Sequence, residues 1–185
     1  SIFWHNHHSK LRRQSSNHMS NLLVQNIKHT NGTTAQTIDS SGRMTLPAQP
    51  RFLVILASNT TVPNAHDQDW SVSAASWTEK FDVGGCFASG LFTSPVAGVY
   101  HITYQMYCNP SAGAYIGAGM SGTAITDTYG VTNLWNFQAG GNDTGFTHTA
   151  LINVDAGKTI QFGTYGNGSS TARTDGTFIF GYKVA

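Results

Sequence analysis

Acidic and histidine side chains crowd together at one point of the chain, where His66, Asp67 and Asp69 are near neighbours. Two carboxylates that flank a sugar can hydrolyse a glycosidic bond, and a histidine beside carboxylates can bind a metal ion. Aspartate is also one of the residues most often found in turns, where its side chain bonds to nearby backbone. We interpret the group as loop residues, and we predict neither a bound metal nor a cofactor.

Other patterns of enzyme chemistry are missing from the sequence. No Gly-x-Ser-x-Gly segment accompanies a histidine and an aspartate that could form a catalytic triad. The two cysteines, Cys86 and Cys108, show no zinc-binding spacing. We interpret them as small buried residues in strands, although a disulfide between them is also compatible with the sequence. The sequence therefore predicts a protein that is not an enzyme.

A second set of polar and aromatic residues has the types that bind sugars. Aromatic rings stack on sugar faces, and Asn, Asp and Arg side chains form paired hydrogen bonds with hydroxyl groups. The alternative is that these are ordinary polar residues of loops. The candidate receptor-binding residues are His66, Asp67, Asp69, Trp70, Asn109, Asn142, Asp143, Arg173 and Asp175.

The composition of the 185 residues limits the scaffold that carries these side chains. Only 10% of the residues are charged, against about a quarter in a typical soluble domain. With twenty glycines as well, this composition indicates short strands joined by tight turns. A net charge of +1 argues against nucleic-acid binding. No apolar run reaches the roughly 18 residues of a membrane span, so we predict no membrane insertion.

The N-terminal part of the sequence divides into two segments. Residues 1–19 contain clustered histidines and three basic residues without an apolar stretch after them, so they do not form a signal peptide. We interpret them as a purification tag with a cloning remnant, or as an N-terminal arm. A metal site formed by the histidines would lack an acidic or cysteine partner nearby. Residues 20–49 follow as a separate segment.

Residues 20–49 have the pattern of a short β-rich stalk. Asn31-Gly32 between threonine-rich arms predicts a hairpin with a type I′ turn, and 39–42 predicts a second turn. These arms are too short and too polar to bury a core alone. They would be stable if several chains wrapped together, and otherwise they would form a flexible linker.

The stalk sequence also carries a resemblance. The run NIKHTNGTTAQTIDSSGRMTLPAQPRF resembles segments that precede globular tips in bacteriophage tail fibres and other virion proteins. This resemblance implies a virion protein that is extracellular when it acts. It also implies that the stalk contacts other virion proteins.

Residues 50–185 read as closely spaced strands without a convincing helix. In the best alternating strand, 99–108, the odd positions from Val99 through His101 to Tyr107 share one face, and the even positions share the other. The run 51–58 is apolar throughout, which is consistent with a strand covered on both faces. Further strands are predicted at 77–83, 91–94, 115–121, 131–138, 146–154, 159–165 and 177–184. This spacing predicts an all-β sandwich, most simply a jelly roll.

Residues 50–185 also resemble a known family. The segments FDVGGCF (81–87), GLFTSPVAGVY (90–100), LINVDAGKTI (151–160) and FIFGY (178–182) are similar to the complement globular-head domains. That family shares its jelly roll with tumour-necrosis-factor cytokines. The resemblance implies a compact homotrimer in which one sheet of each subunit faces the threefold axis. It therefore implies that Val99, His101 and Tyr107 lie in the trimer interface. The family's calcium-binding loops cannot be assigned in this sequence.

Strand direction predicts where the loops lie. Successive strands of an antiparallel sandwich alternate in direction, so successive loops alternate between its two ends. Because the stalk enters at Pro50, the loops 59–69, 109–113, 140–145 and 166–176 fall at the opposite end, which we call the distal end. These are the long loops, and long loops on a rigid scaffold commonly carry binding sites.

Together these features predict a trimeric jelly-roll head on a short stalk, acting as the receptor-binding tip of a bacteriophage tail fibre or spike. It would attach to a host-surface polysaccharide or protein through several weak sites at once. One alternative is a trimerisation or decoration module of the virion that does not bind the host. A second is a polysaccharide-degrading tail spike. A third is an extracellular, complement-like animal protein, against which the stalk argues.

Overall fold

The computed structural model describes residues 24–62, 77–110, 115–123, 133–139, 143–166 and 170–185. In these segments every regular element is a β-strand. No helix there is long and apolar enough to cross a membrane. The chain first forms a small three-stranded antiparallel sheet and then two larger antiparallel sheets that pack face to face.

The small sheet confirms the predicted hairpin but corrects its turn. It consists of β1 (Asn26–Lys28), β2 (Thr34–Ile38) and β3 (Met44–Thr45). A type I′ turn needs positive φ at both central residues, whereas only Gly32, with φ of 88°, is in the left-handed region. Asn31 instead keeps a negative φ and accepts a hydrogen bond from the Thr33 amide at 3.0 Å. The side chain thus stabilises a longer connection, which the dipeptide alone did not predict.

The larger part of the chain contributes twelve strands. They are β4 (Arg51–Leu56), β5 (Thr60–Val62), β6 (Trp77–Val83), β7 (Phe87–Ala88), β8 (Leu91–Thr93), β9 (Gly98–Pro110), β10 (Tyr115–Ser121), β11 (Asn133–Ala139), β12 (Thr144–Val154), β13 (Thr159–Gly166), β14 (Ser170–Ala172) and β15 (Phe178–Lys183). Each predicted strand is confirmed. The short strands β5, β7 and β14 were not predicted, because two or three residues show no measurable alternation.

The two larger sheets form a sandwich. One has the order β11-β10-β13-β8-β7, and the other has the order β5-β14-β9-β15-β4-β6, with β12 also paired to β9. Aromatic side chains from both sheets meet between them. Phe92, for example, lies 5.5 Å from Phe52 and 5.2 Å from Tyr100 between ring centroids. The all-β sandwich predicted from composition and spacing is therefore confirmed.

Strand β4 is covered by the core on one face. The apolar run predicted a strand covered on both faces, and Phe52, Val54 and Leu56 are buried in the core. Leu53 and Ile55 lie on the opposite face and are only half-buried. No second layer packs over them among the described residues of one copy, so cover of this face stays a prediction, tied to the predicted trimer.

The structure confirms the predicted alternation along β9, because the even positions from Tyr100 to Cys108 are buried between the sheets.

At Gly181, the backbone of β15 passes close to the neighbouring strands. A Cβ atom on Gly181 would lie 2.7 Å from the Phe52 ring and 3.2 Å from the His101 carbonyl oxygen. Glycine is thus the residue that lets β15 lie between β4 and β9.

Both cysteines are buried as free thiols, so no disulfide joins them. Cys108 lies in β9 as predicted, whereas Cys86 lies in the turn before β7 rather than in a strand. Burial raises the pKa of the Cys86 thiol to about 12 and that of Cys108 to about 11. Both side chains therefore remain protonated and poorly reactive at neutral pH.

Candidate functional site

Strand pairing brings four of the predicted binding residues to the distal end of the sandwich. Residue 144, the first of β12, is paired with 108 near the end of β9, and β14 pairs with 108–110 along the opposite edge of β9. Five side chains meet where these strands end. We call them the distal cluster: Tyr107 and Asn109 of β9, Asp143 before β12, and Arg173 and Asp175 after β14.

Asp143 is the centre of the distal cluster. Its carboxylate accepts hydrogen bonds from the Tyr107 hydroxyl at 3.0 Å, the Asn109 amide at 2.6 Å and the Arg173 guanidinium at 2.9 Å. The donors come from one strand, β9, and from the loop after β14, which are far from Asp143 in sequence. A single carboxylate therefore ties the ends of three segments together.

Arg173 is fully engaged between two carboxylates and a ring. Its Nε and Nη2 donate to Asp175 at 3.2 and 3.0 Å, while Nη1 donates to Asp143. The guanidinium carbon lies 5.4 Å from the centre of the Tyr107 ring, within cation–π range. One cation and two carboxylates leave the cluster with a net negative charge.

Backbone contacts hold the arginine segment against β9. The Arg173 amide donates to the Tyr107 carbonyl at 2.8 Å. Buried Thr177 accepts from the Tyr107 amide at 3.0 Å and donates to its carbonyl at 3.1 Å. A Cβ atom on Gly176 would lie 2.7 Å from that of Tyr107, so this turn passes closely over the tyrosine. The cluster is therefore built on a rigid frame.

Electrostatics keep the two donors of the cluster protonated. The hydrogen bond to Asp143 raises the pKa of the Tyr107 hydroxyl, because the phenolate form could not donate it. Asp175 raises the pKa of Arg173 through its hydrogen bond and its charge. The Tyr107 hydroxyl and the Arg173 guanidinium therefore both remain protonated donors at neutral pH.

The outcome for the predicted binding residues is mixed. Asn109, Asp143, Arg173 and Asp175 are brought together. His66, Asp67, Asp69, Trp70 and Asn142 lie outside the described residues. Tyr107 was assigned to the trimer interface and not to this group, although its place two residues before Asn109 in one strand puts it close to the distal end. In the described segments, no group of histidine, cysteine and acidic side chains could hold a metal ion.

A second candidate surface lies on the outward side of the larger sheet. We call it the outer face, and it is formed by Arg51, Leu53, Ile55, Phe81, Val99, His101, Leu151, Phe178, Phe180 and Tyr182. His101 packs 5.0 Å from Tyr182 and 5.8 Å from Phe180 between ring centroids. Leu151 is 67% exposed. The same face also carries Thr103, Gln105, Thr147 and Thr149, so the outer face is an aromatic and aliphatic surface bordered by polar side chains.

The three predicted interface residues differ in their positions and in their hydrogen bonds. Val99 and His101 lie on the outer face, and the Nδ1 atom of His101 is buried there without a hydrogen-bond partner in the described part of the chain. Tyr107 lies on the same side of β9, but its hydroxyl is committed to Asp143. Their role in an interface stays a prediction.

Known structures share this arrangement of strands. The chain is similar to the globular domain of a zebrafish complement 1qA protein, with a TM-score of 0.53 and 13% identity over 74% of this chain and 98% of that one. It is also similar to an Eiger tumour necrosis factor from S. frugiperda, with a TM-score of 0.51 and 14% identity over 75% of this chain and 94% of that one. The chain is a jelly roll of this type.

Murine APRIL gives a third match, with a TM-score of 0.53 and 11% identity over 74% of this chain and 99% of the other. No protein family and no curated protein matches the chain by sequence. The jelly-roll fold implied by the sequence resemblance is therefore confirmed at the level of structure. Nothing in these matches supports the resemblance of the stalk segment to bacteriophage fibres.

Proposed function

We propose that this chain is a non-enzymatic binding module that acts as a homotrimer. The observation that carries the proposal is the outer face, an apolar surface on five adjacent strands that the described residues of one copy leave uncovered. Large apolar patches rimmed by polar residues mark sites of protein association. The fold shared with complement and tumour-necrosis-factor domains supports a compact trimer with this face turned inward.

The edge of the same sheet supplies a complementary surface. β12 lies beside β9, and its residue Leu151 is paired with His101 of the outer face. In a threefold assembly each copy presents one surface and receives a different one from its neighbour. Contact between an edge and an outer face would bury Leu151, Phe81 and Tyr182, all of which are exposed in one copy.

We propose further that the trimer is the receptor-binding tip of a bacteriophage fibre or spike. The stalk sequence and its small sheet support this role, and the distal cluster would then point away from the particle. Three copies on one rigid head raise the effective concentration of each weak site for the next. The protein would act outside the cell, attached to the virion through its stalk.

The chemistry of the distal cluster favours a particular kind of ligand. Arg173 is already paired with two carboxylates, so the cluster has no spare positive charge for an anionic group. Carboxylate lone pairs on Asp175 and the amide oxygen of Asn109 remain as acceptors, which suit hydroxyl donors. We therefore infer that the site binds a neutral saccharide rather than an acidic one.

The cluster also favours binding over hydrolysis. A glycosidase needs two carboxyl groups placed on either side of the bond that it cleaves. Asp143 and Asp175 are instead both bonded to one guanidinium group, that of Arg173. Their remaining lone pairs are thus placed to accept hydrogen bonds from a ligand.

Solution mass tests the trimer directly. We expect light scattering on the full chain to give three times the chain mass. Replacing Tyr182 and Phe81 by glutamate should lower it to the mass of one chain, because like charges would meet in the buried interface. The matched control is Thr45→Glu, a polar position of the stalk. A monomeric wild-type protein that is fully folded by circular dichroism would contradict the proposal.

Removing one carboxylate from the distal cluster tests whether the cluster binds the proposed ligand. We expect Asp175→Asn to weaken binding of a neutral bacterial oligosaccharide about tenfold, the equivalent of one hydrogen bond to a charged group. Asp155→Asn makes the same change in an exposed turn at the opposite end and should leave affinity unchanged. Calorimetry with neutral and uronic-acid-containing oligosaccharides provides the measurement. A wild-type preference for the acidic sugars would contradict the inferred ligand.

A further inference from the structure

The small stalk sheet carries its apolar side chains on one face only. Register pairs Ile27 with Gln36 and Ile38 with Met44, and side chains of paired residues point to the same face. Leu46 follows Met44 by two positions and continues the same side. We call this the stalk apolar face, and it is formed by Ile27, Ile38, Met44 and Leu46 around the uncharged Gln36, whose amide donates to the Met44 sulfur.

The opposite face of the stalk sheet is polar. Asn26, Thr37 and Thr45 are neighbours in the register, and the Thr37 hydroxyl donates to the Asn26 amide oxygen at 3.0 Å. The charged pair Asp39 and Arg43, joined at 2.7 Å, lies in the turn beyond the strands. The sheet is therefore amphipathic, and its apolar side carries no charge.

The stalk apolar face is open to solvent in a single copy. Ile27 is 47% exposed, Met44 is 68% exposed and Leu46 is 48% exposed. The three strands contain three, five and two residues. A sheet of this size with one exposed apolar side has little stability of its own in water, because it needs a surface to pack on.

The chain path joins the stalk apolar face to the outer face of the head. Arg51, in the outer face, donates from Nη1 to the Leu46 carbonyl at 3.1 Å and to the Gln49 carbonyl at 3.3 Å. The Lys183 amide donates to the Pro50 carbonyl at 2.9 Å, which ties the same connection to β15. The end of the stalk is thus held beside the surface through which we propose that the head trimerises.

We propose that the stalk apolar face packs against the same face of the two other copies in the trimer. This inference rests on the proposed trimer of the head and extends it along the stalk. The occupant is a copy of this chain because the face is uncharged and continuous with the head interface. Identical uncharged surfaces can meet around a threefold axis without repulsion. The stalk would then be a three-chain sheet assembly with a shared apolar interior.

Paired cysteine variants of the full chain test this proposal. Met44→Cys places a thiol on the stalk apolar face, and Thr45→Cys places one on the polar face of the same strand. We expect a maleimide to label the first at least tenfold more slowly than the second. We also expect a bis-maleimide to cross-link the first between chains and the second hardly at all. The native cysteines are buried with raised pKa values, so the signal comes from the added thiol.

The outcomes separate this inference from the proposed function. A trimeric mass with equally fast labelling and no cross-link at position 44 would overturn the stalk packing while the head trimer stands. Slow labelling without cross-links between chains would mean that another segment of the same chain covers the face, which also overturns it. A monomeric mass would refute the proposed trimer itself. Leu46→Cys repeats the measurement if Met44→Cys disturbs assembly, and it should give the same protection and cross-linking.

Discussion

Replacing Phe92 by alanine is expected to lower the free energy of unfolding by about 3–5 kcal/mol, the loss typical of a fully buried phenylalanine. Phe92 has no exposed surface, and its ring stacks on Phe52 and meets Tyr100 edge-on. It comes from β8 of one sheet, while both partners come from the other sheet. The substitution therefore leaves a cavity at the point where the two sheets are joined.

Urea unfolding followed by circular dichroism measures this loss. Phe92→Leu is the matched control, because it keeps most of the volume and should cost less than about 1.5 kcal/mol. Similar losses for both variants would mean that the site collapses around the smaller side chain. That result would contradict a core in which Phe92 joins the two sheets.

Replacing Gly122 by alanine is expected to cost at least about 2 kcal/mol, from backbone strain and a steric clash together. Gly122 follows β10 with a φ of 128°, which side chains rarely tolerate. Its added Cβ atom would lie 2.5 Å from the Thr159 carbonyl oxygen. The next residue, Thr123, accepts a hydrogen bond from the Thr159 amide at 3.0 Å, so the two segments cannot separate without losing it.

Gly157→Ala is the matched control for Gly122→Ala. Gly157 also has a positive φ, of 77°, but no atom lies within 4 Å of its added Cβ. Gly157→Ala should lower the free energy of unfolding only by the cost of holding alanine in the left-handed region, about 1 kcal/mol. Thermal and urea unfolding of the two variants isolate the contribution of the clash. Equal losses would contradict the close contact between Gly122 and the start of β13.

The periodic features of the fold could be predicted from the sequence. Alternation along residues 99–108 separates core positions from outer-face positions, because the side-chain period of a strand is two. Strand direction alone placed Asn109, Asp143, Arg173 and Asp175 at one end, since antiparallel strands alternate. Chain composition and glycine-rich turns predicted the all-β sandwich. Each of these conclusions depends on a local residue pattern or on the number of successive strands, and a single sequence provides both.

Only the tertiary structure decided which of those side chains meet. The Asp143 carboxylate binds Tyr107 from 36 residues away and Arg173 from 30 residues away, and both contacts depend on the register of β12 and β14 against β9. The family resemblance assigned Tyr107 to an interface, and strand parity identified its face but not its neighbours. Likewise, Asn31 adopts its backbone conformation because its side chain bonds to Thr33, which the dipeptide pattern does not encode. Patterns of period two determine which way a side chain points, whereas register and loop path determine what it touches.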